Sequence, residues 1–310
     1  MDIVTAHWLV SWPLLAGCAV LVAAHLSGLR RMLRDSPVRQ APAGAAGRTS
    51  GSAARSDLIR QAVIFQVGLL IAVLAMVSPV GYWSSVYIWV HALQDLLLAF
   101  IAPGLIVLGA PWQPLRRGWP GAVQGPPRQP GAAADRIPPV PWWLAGPVAV
   151  VIAFNALWLG WHLPAFFDAT RASGPVACAE YATYLAIGIL FWLQLIGSRP
   201  ASPAAAPLRR FGLLTGTVIV STVLGMVLVF GAALVYPAFV GPAHHLLSVV
   251  DDQQLAGAVL WMGMLPPMIV AAVAVLLRWL DDEESAELSA GLDRLVTPRK
   301  SAWPSRAGRG

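Results

Sequence analysis

The stretch VYIWVHALQDLLLAFIAPGLIVL, residues 86–108, carries one formal charge, Asp95, in 23 positions. A helix crosses the hydrocarbon core of a bilayer with about 20 mostly apolar residues. This stretch is long enough and apolar enough to do so. It also holds His91 and Asp95 four residues apart, so the two share one helix face, with Asp95 about 6 Å deeper than His91. An ionisable side chain inside a span is costly and points to function. One segment thus predicts both a membrane helix and a polar site near its end.

Six further runs read the same way, at 8–28, 58–78, 142–160, 176–197, 211–235 and 254–280. Only helices and closed barrels satisfy their backbone inside lipid, and these runs are too long and continuously apolar for barrel strands. The expected fold class is all-α, a polytopic bundle of seven transmembrane helices. The composition agrees, with 57% hydrophobic and 12% charged residues.

Basic residues orient the bundle. Residues 29–60 hold seven, 109–141 four, 198–210 three, and the segment from Arg278 onward six, all in alternate connections. The other side has Arg171 alone. The expectation is an N-terminus outside and a C-terminus in the cytoplasm. The net charge of +6 is then a topology signal facing the inner leaflet, which removes the case for nucleic acid as a partner. No basic stretch precedes the first run, so 8–28 is read as a retained helix, not a secretory signal.

The arginine-side connections are rich in Ala, Gly, Ser and Pro, as linkers are. The expected organisation is a first helix with a flexible Arg-rich loop over 1–57, a six-helix core over 58–280, and a partly disordered tail over 281–310 in which DDEESAEL forms a short acidic helix. Cys18 and Cys178 lie at different depths and predict no disulfide. Several tryptophans and tyrosines, among them Tyr82, Trp83, Trp89, Trp158 and Trp161, suit an interfacial belt.

Five of the six histidines fall on the arginine-poor side: His7, His91, His162, His244 and His245. Gln94 and Asp95 accompany His91. Glu180 and Tyr181 occupy the start of the fifth run, and Asp251, Asp252 and Gln253 precede or begin the seventh. Asp95 and Glu180 fit two descriptions equally, a functional pair or carboxyls hydrogen-bonded across the bundle.

HALQDLLLAFIAPGLIVLGAP (91–111), WHLPAFFD (161–168), AEYATYLAIGILFW (179–192) and DQQLAGAVLW (252–261) together resemble the CtaG-like family of cytochrome c oxidase assembly factors, multi-pass proteins of the bacterial inner membrane. The resemblance runs from about residue 58 to 280. It implies a membrane assembly factor aiding maturation of the oxidase copper centre from the extracytoplasmic side. The implied partners are oxidase subunits, membrane lipid and periplasmic copper chaperones, and copper is the implied cargo. His91 and His162 match histidines of the family motifs, and Asp252 and Gln253 match its DQ pair. Asp95, Ala177 and Tyr181 stand where the family carries further histidines. His244, His245 and Cys178 are the candidate replacements, alongside His91 and His162 as metal ligands. Gln94, Asp95, Glu180, Tyr181, Asp251, Asp252 and Gln253 are expected around them in a polar pocket open to the outer side. Carboxylates there would orient the imidazoles and hold negative charge near a cation.

A transporter of metal ions or protons, or a haem-binding membrane protein with His91 and His162 as axial pair, remains the alternative. A retinal protein is excluded, because a Schiff base needs a lysine in a span and the sole lysine is Lys300. No phosphate loop, dinucleotide motif or nucleophile arrangement is present, so no enzyme is expected.

Overall fold

The computed structural model describes residues 8–9, 11–35, 45–119, 146–196, 207–231, 233–240 and 247–296. Among them the chain is helical without strands. The elements are α1 (Trp12–Asp35), α2 (Ala45–Val77), α3 (Pro79–Trp83), α4 (Ile88–Leu96), a π turn (Leu97–Ile101), α5 (Ala102–Leu108), α6 (Trp112–Gly118), α7 (Pro147–Trp161), α8 (Pro164–Ala172), α9 (Gly174–Ile196), α10 (Pro207–Phe230), a 3-10 turn (Pro237–Phe239) and α11 (Val249–Val296). Six helices are long and apolar enough to cross a membrane, and the bent pair α7 and α8 makes a seventh if counted as one span. Large apolar side chains such as Ile152, Ile219 and Val270 are more than half exposed. In water that would be a liability, whereas in a bilayer it is the lipid-facing surface.

Three boundaries differ from the sequence expectation. First, α2 begins at Ala45, so the second half of the expected flexible loop is helical. Next, α10 ends at Phe230, and residues 231 and 233–235 of the expected sixth run lie in a loop. Finally, α11 runs unbroken to Val296, so the acidic segment DDEESAEL continues the last span instead of forming a separate helix. Glu and Ala are strong helix formers, and nothing between Leu280 and Glu287 stops propagation. The expected start of the fourth run, at 142, and the last fourteen residues lie outside the described residues.

Two prolines shape the region that matters for function. Pro164 follows Leu163, whose φ of −67° and ψ of 136° are extended. The residue before a proline is driven out of the helical region. The chain therefore breaks at His162–Leu163 and α8 turns away from α7 by 67°. Pro103 contributes no backbone N–H to the third span, and the turn just before it widens into a π turn in which Ala102 N–H bonds Leu97 O. The Trp192 indole donates to the Phe100 carbonyl of that turn at 2.9 Å. Trp192→Phe removes the donor and part of a buried ring. The expected loss is about 2 kcal/mol, hydrogen bond and cavity together, checked by thermal unfolding in detergent.

The core is aromatic. Phe100 meets Phe154 and Trp158 edge-on at 5.0 and 5.1 Å, and Phe154 packs on Phe191 at 4.7 Å. Glycines allow the closest crossings. Gly188 of α9 faces the Ala99 carbonyl and Pro103, while Gly225 of α10 and Gly257 of α11 face each other's carbonyls. Gly212 and Gly216 have open space beside them. At the arginine-bearing end, α6 docks on α1 through Gly28 and Gly118, and Ser27 donates to the Gly118 carbonyl. His25, fully buried, packs on Phe65 with tilted rings whose centres are 4.4 Å apart.

Candidate metal centre

At the opposite end of the bundle, α4, α7 and α9 bring four titratable side chains together. His91 Nε2 stands 3.4 Å from Glu180 Oε1 and 3.7 Å from Asp95 Oδ2. His162 Nε2 stands 3.7 Å from the same Asp95 oxygen. Ligand atoms of His91, Asp95 and Glu180 all lie within 4.8 Å of one another, and His162 joins through Asp95.

Each position follows from local structure. His91 and Asp95 are one turn apart on α4. Glu180 sits in the second turn of α9. His162 is the C-cap of α7, held where Pro164 stops the helix. Its Nδ1–H donates to the Trp158 carbonyl at 2.8 Å. That bond fixes the neutral tautomer and leaves the Nε2 lone pair facing Asp95.

The site is closed, where an open pocket was expected. His91 is 3% and His162 4% exposed, while Asp95 and Glu180 are fully buried. Phe167 of α8 lies against His91 with ring centres 4.4 Å apart and stacks on Tyr236 at 3.9 Å. Phe239 packs on Phe167 at 5.4 Å. Tyr236 donates to the His162 carbonyl at 3.0 Å. Arg171 lies over the Phe239 ring at 5.3 Å and donates to the Ser85 carbonyl at 2.8 Å. The break after His162 is what lets α8 fold over the cluster.

The remaining residues singled out in the sequence take other places. Asp252 of α11 accepts the Ile88 and Trp89 backbone N–H groups at 2.9 and 3.0 Å. It caps α4 from another helix, in place of Tyr87, which makes no side-chain cap. Gln253 accepts the Val235 N–H at 2.7 Å and donates to the Ala233 carbonyl, pinning the loop that carries Tyr236. Gln94 donates to the Ala75 carbonyl at 2.7 Å and accepts from Tyr181 at 3.2 Å, bracing α4 against α2 and α9. Asp251 is exposed; its N–H donates to Ser248 Oγ, and the Ser248 hydroxyl donates to the Asp251 carboxylate, so the pair caps the start of α11. Cys178 is free and exposed, away from the cluster's buried interior. His244 and His245 lie outside the described residues.

Sequence reasoning missed Phe167, Tyr184, Tyr236 and Phe239 of the aromatic cover, and it assigned Trp158 to the interfacial belt, whereas Trp158 is 1% exposed inside the bundle. Tyr184 carried a signal, since it lies four residues after Glu180 and so on the same face; its hydroxyl is 3.5 Å from His162 Nδ1.

The chemistry such a cluster permits is cation binding or proton sharing. Both Asp95 oxygens, Glu180 Oε2 and His162 Nε2 are buried without a hydrogen-bond partner. A buried unsatisfied polar atom costs about 1–3 kcal/mol, so four at one point mark a place built for something more.

Comparison with known proteins adds a family. A family model described as cytochrome c oxidase caa3 assembly factor matches residues 45–282. An uncharacterised protein of Mycobacterium leprae is 25% identical over 232 residues, covering 70% of this chain and 34% of its own length. Uncharacterised proteins of Mycobacterium bovis and Mycobacterium tuberculosis are each 29% identical over 213 residues, covering 65% of this chain and 31% of theirs. The chain thus spans about a third of the length of these relatives. No solved structure matches.

Proposed function

We propose, for a chain that belongs to the cytochrome c oxidase caa3 assembly factor family, that it aids maturation of the oxidase copper centre from the extracytoplasmic side of a bacterial inner membrane. The observation that carries this reading is the buried cluster of His91, Asp95, Glu180 and His162. It lies at the bundle end opposite the arginine-bearing connections. By the positive-inside rule those arginines face the cytoplasm, which puts the N-terminus and the cluster on the outer side.

Copper is the cargo in this reading. Imidazole is a good copper ligand, and His162 presents an unprotonated nitrogen without rearrangement. The role is delivery and stabilisation, not catalysis. Its partners are oxidase subunits docking in the bilayer and copper chaperones on the outer side. The cover formed by α8 and the 3-10 turn keeps water from the cluster, so loading and release need that cover to shift.

The test is terminal oxidase activity in membranes of a deletion strain, with and without added copper, alongside oxidase subunit levels. The expected result is lost activity with subunits present, partly restored by copper. Complementation with a His91→Ala/His162→Ala double variant, present at normal levels, is expected to fail. Normal oxidase activity in the deletion strain overturns the reading.

A further inference from the structure

Three separations bear on what the cluster holds. At 3.4, 3.7 and 3.7 Å, the imidazole nitrogens stand beyond the range of about 2.7–3.2 Å for good N–H···O bonds. They are also too near for a bridging water, since two such bonds in series span roughly 4.5 Å or more. Ligand atoms each about 2.0–2.2 Å from one ion stand about 2.8–3.6 Å apart when adjacent and about 4.0–4.4 Å apart when opposite, from square-planar to tetrahedral sets. The three separations fall within that span, the ligand atoms of His91, Asp95 and Glu180 lie within 4.8 Å of one another, and His162 joins through Asp95. Three of the four side chains also hold buried atoms without a hydrogen-bond partner: both Asp95 oxygens, Glu180 Oε2 and His162 Nε2.

Charge and donor type narrow the ion. Two carboxylates buried among aromatic rings carry two negative charges when they ligate. An uncompensated charge in such surroundings is strongly unfavourable. A doubly charged cation balances them, whereas a singly charged one leaves a net charge buried. The donors are nitrogen and oxygen, a set that suits divalent first-row metals, while the cuprous ion favours thiolate and thioether. Cys178 is exposed, as are Met226 and Met262.

We infer that His91, Asp95, Glu180 and His162 form a mixed imidazole–carboxylate site for a divalent transition-metal cation, so that copper is held as the cupric and not the cuprous ion. The inference rests on the proposed copper handling only for the identity of the metal. In this chain Asp95 and Glu180 are direct ligands, where the sequence suggested supporting carboxylates. Among divalent ions, cupric binds N and O donors most tightly of the first row.

The test uses the full-length protein purified in detergent. It is loaded with Cu2+ in air, or with Cu+ under a reductant without oxygen, desalted, and assayed for metal per chain. Electron paramagnetic resonance of the Cu2+ form reads the ligands. Expected are one Cu2+ per chain, nitrogen hyperfine structure from two imidazoles, and affinity for Cu2+ exceeding that for Cu+. Asp95→Asn and Glu180→Gln, each keeping size and hydrogen-bonding capacity, are expected to weaken Cu2+ at least about tenfold. Cys178→Ser is expected to change nothing. Each variant is checked for an unchanged elution profile. Tighter Cu+ than Cu2+, or Cu2+ binding indifferent to both carboxylate variants, overturns the inference. If the chain binds no cation while the deletion strain still loses oxidase activity, the inference falls and the assembly role stands. If Cu2+ binds as expected while oxidase activity is normal in the deletion strain, the site stands and the assembly role falls.

Discussion

Asp252→Ala is expected to cost about 3–4 kcal/mol and to abolish function, through the start of the helix that carries His91. Its carboxylate takes both of the first N–H groups of α4, at 2.9 and 3.0 Å, from a position fully shielded from solvent. Hydrogen bonds to a charged group contribute about 1.5–3 kcal/mol each. Alanine leaves two donors buried without partners at a helix start that has no cap of its own. The first turn of α4 then frays, and His91 is in that turn. Thermal unfolding in detergent and oxidase activity in the complemented strain should fall together. Asp252→Asn retains one acceptor oxygen and is expected to lose about half as much stability. An alanine variant as stable as the parent would show that α4 starts without this cap.

Gly188→Val is the second large effect, expected to cost about 3 kcal/mol. A Cβ at position 188 would meet the Ala99 carbonyl and the Pro103 ring, neither of which swings away as the end of a flexible side chain does. Overpacking in a tight core typically costs about 1–3 kcal/mol, and a β-branched residue against backbone belongs at the upper end. The only relief is to part α9 from the π turn. Since α9 carries Glu180 and α4 carries Asp95, the cluster opens with it. The expected readouts are lower thermal stability and weaker Cu2+ retention in the same variant. Gly216→Val is the control, because Gly216 has open space beside it and lies on a lipid-facing helix.

Much of the fold was legible because a span is written in a long contiguous run, and hydrocarbon imposes one answer on such a run. Residues 86–108 needed no tertiary information to read as a helix. The α11 continuation was less legible, since charge marks where lipid ends but not where a helix ends. Within the site, His91 and Asp95 were legible as a pair because one helix turn links them. Their meeting with His162 and Glu180 depends on how α4, α7 and α9 cross, which no local pattern encodes. Asp252 and Gln253 show the limit most clearly. An acid and an amide beside a candidate site look like site residues. In the structure they hold backbone N–H and C=O groups, and those partners are 164 and 18 residues away in the chain. The aromatic cover was hidden for another reason: Phe167, Tyr236 and Phe239 come from segments that read as connections, and only the break at Leu163–Pro164 turns the first of them inward.

The π turn at Leu97–Ile101 has a consequence for how this chain tolerates change in length. Such a turn holds one residue more than the α-helix around it, and each residue of an α-helix advances the face by about 100°. The wider turn absorbs that residue, so the helix above and below keeps the relation an uninterrupted α-helix would have with one residue fewer. Deleting a single residue between 97 and 101 would relax the turn into ordinary helix, barely shorten the span, and leave His91 and Asp95 facing the cluster while Gly104 and Ile106 stayed packed as before. A further residue inserted there has no such slack and would swing His91 and Asp95 around the axis by about 100°. The span thus holds one residue of slack between the packing below and the cluster above.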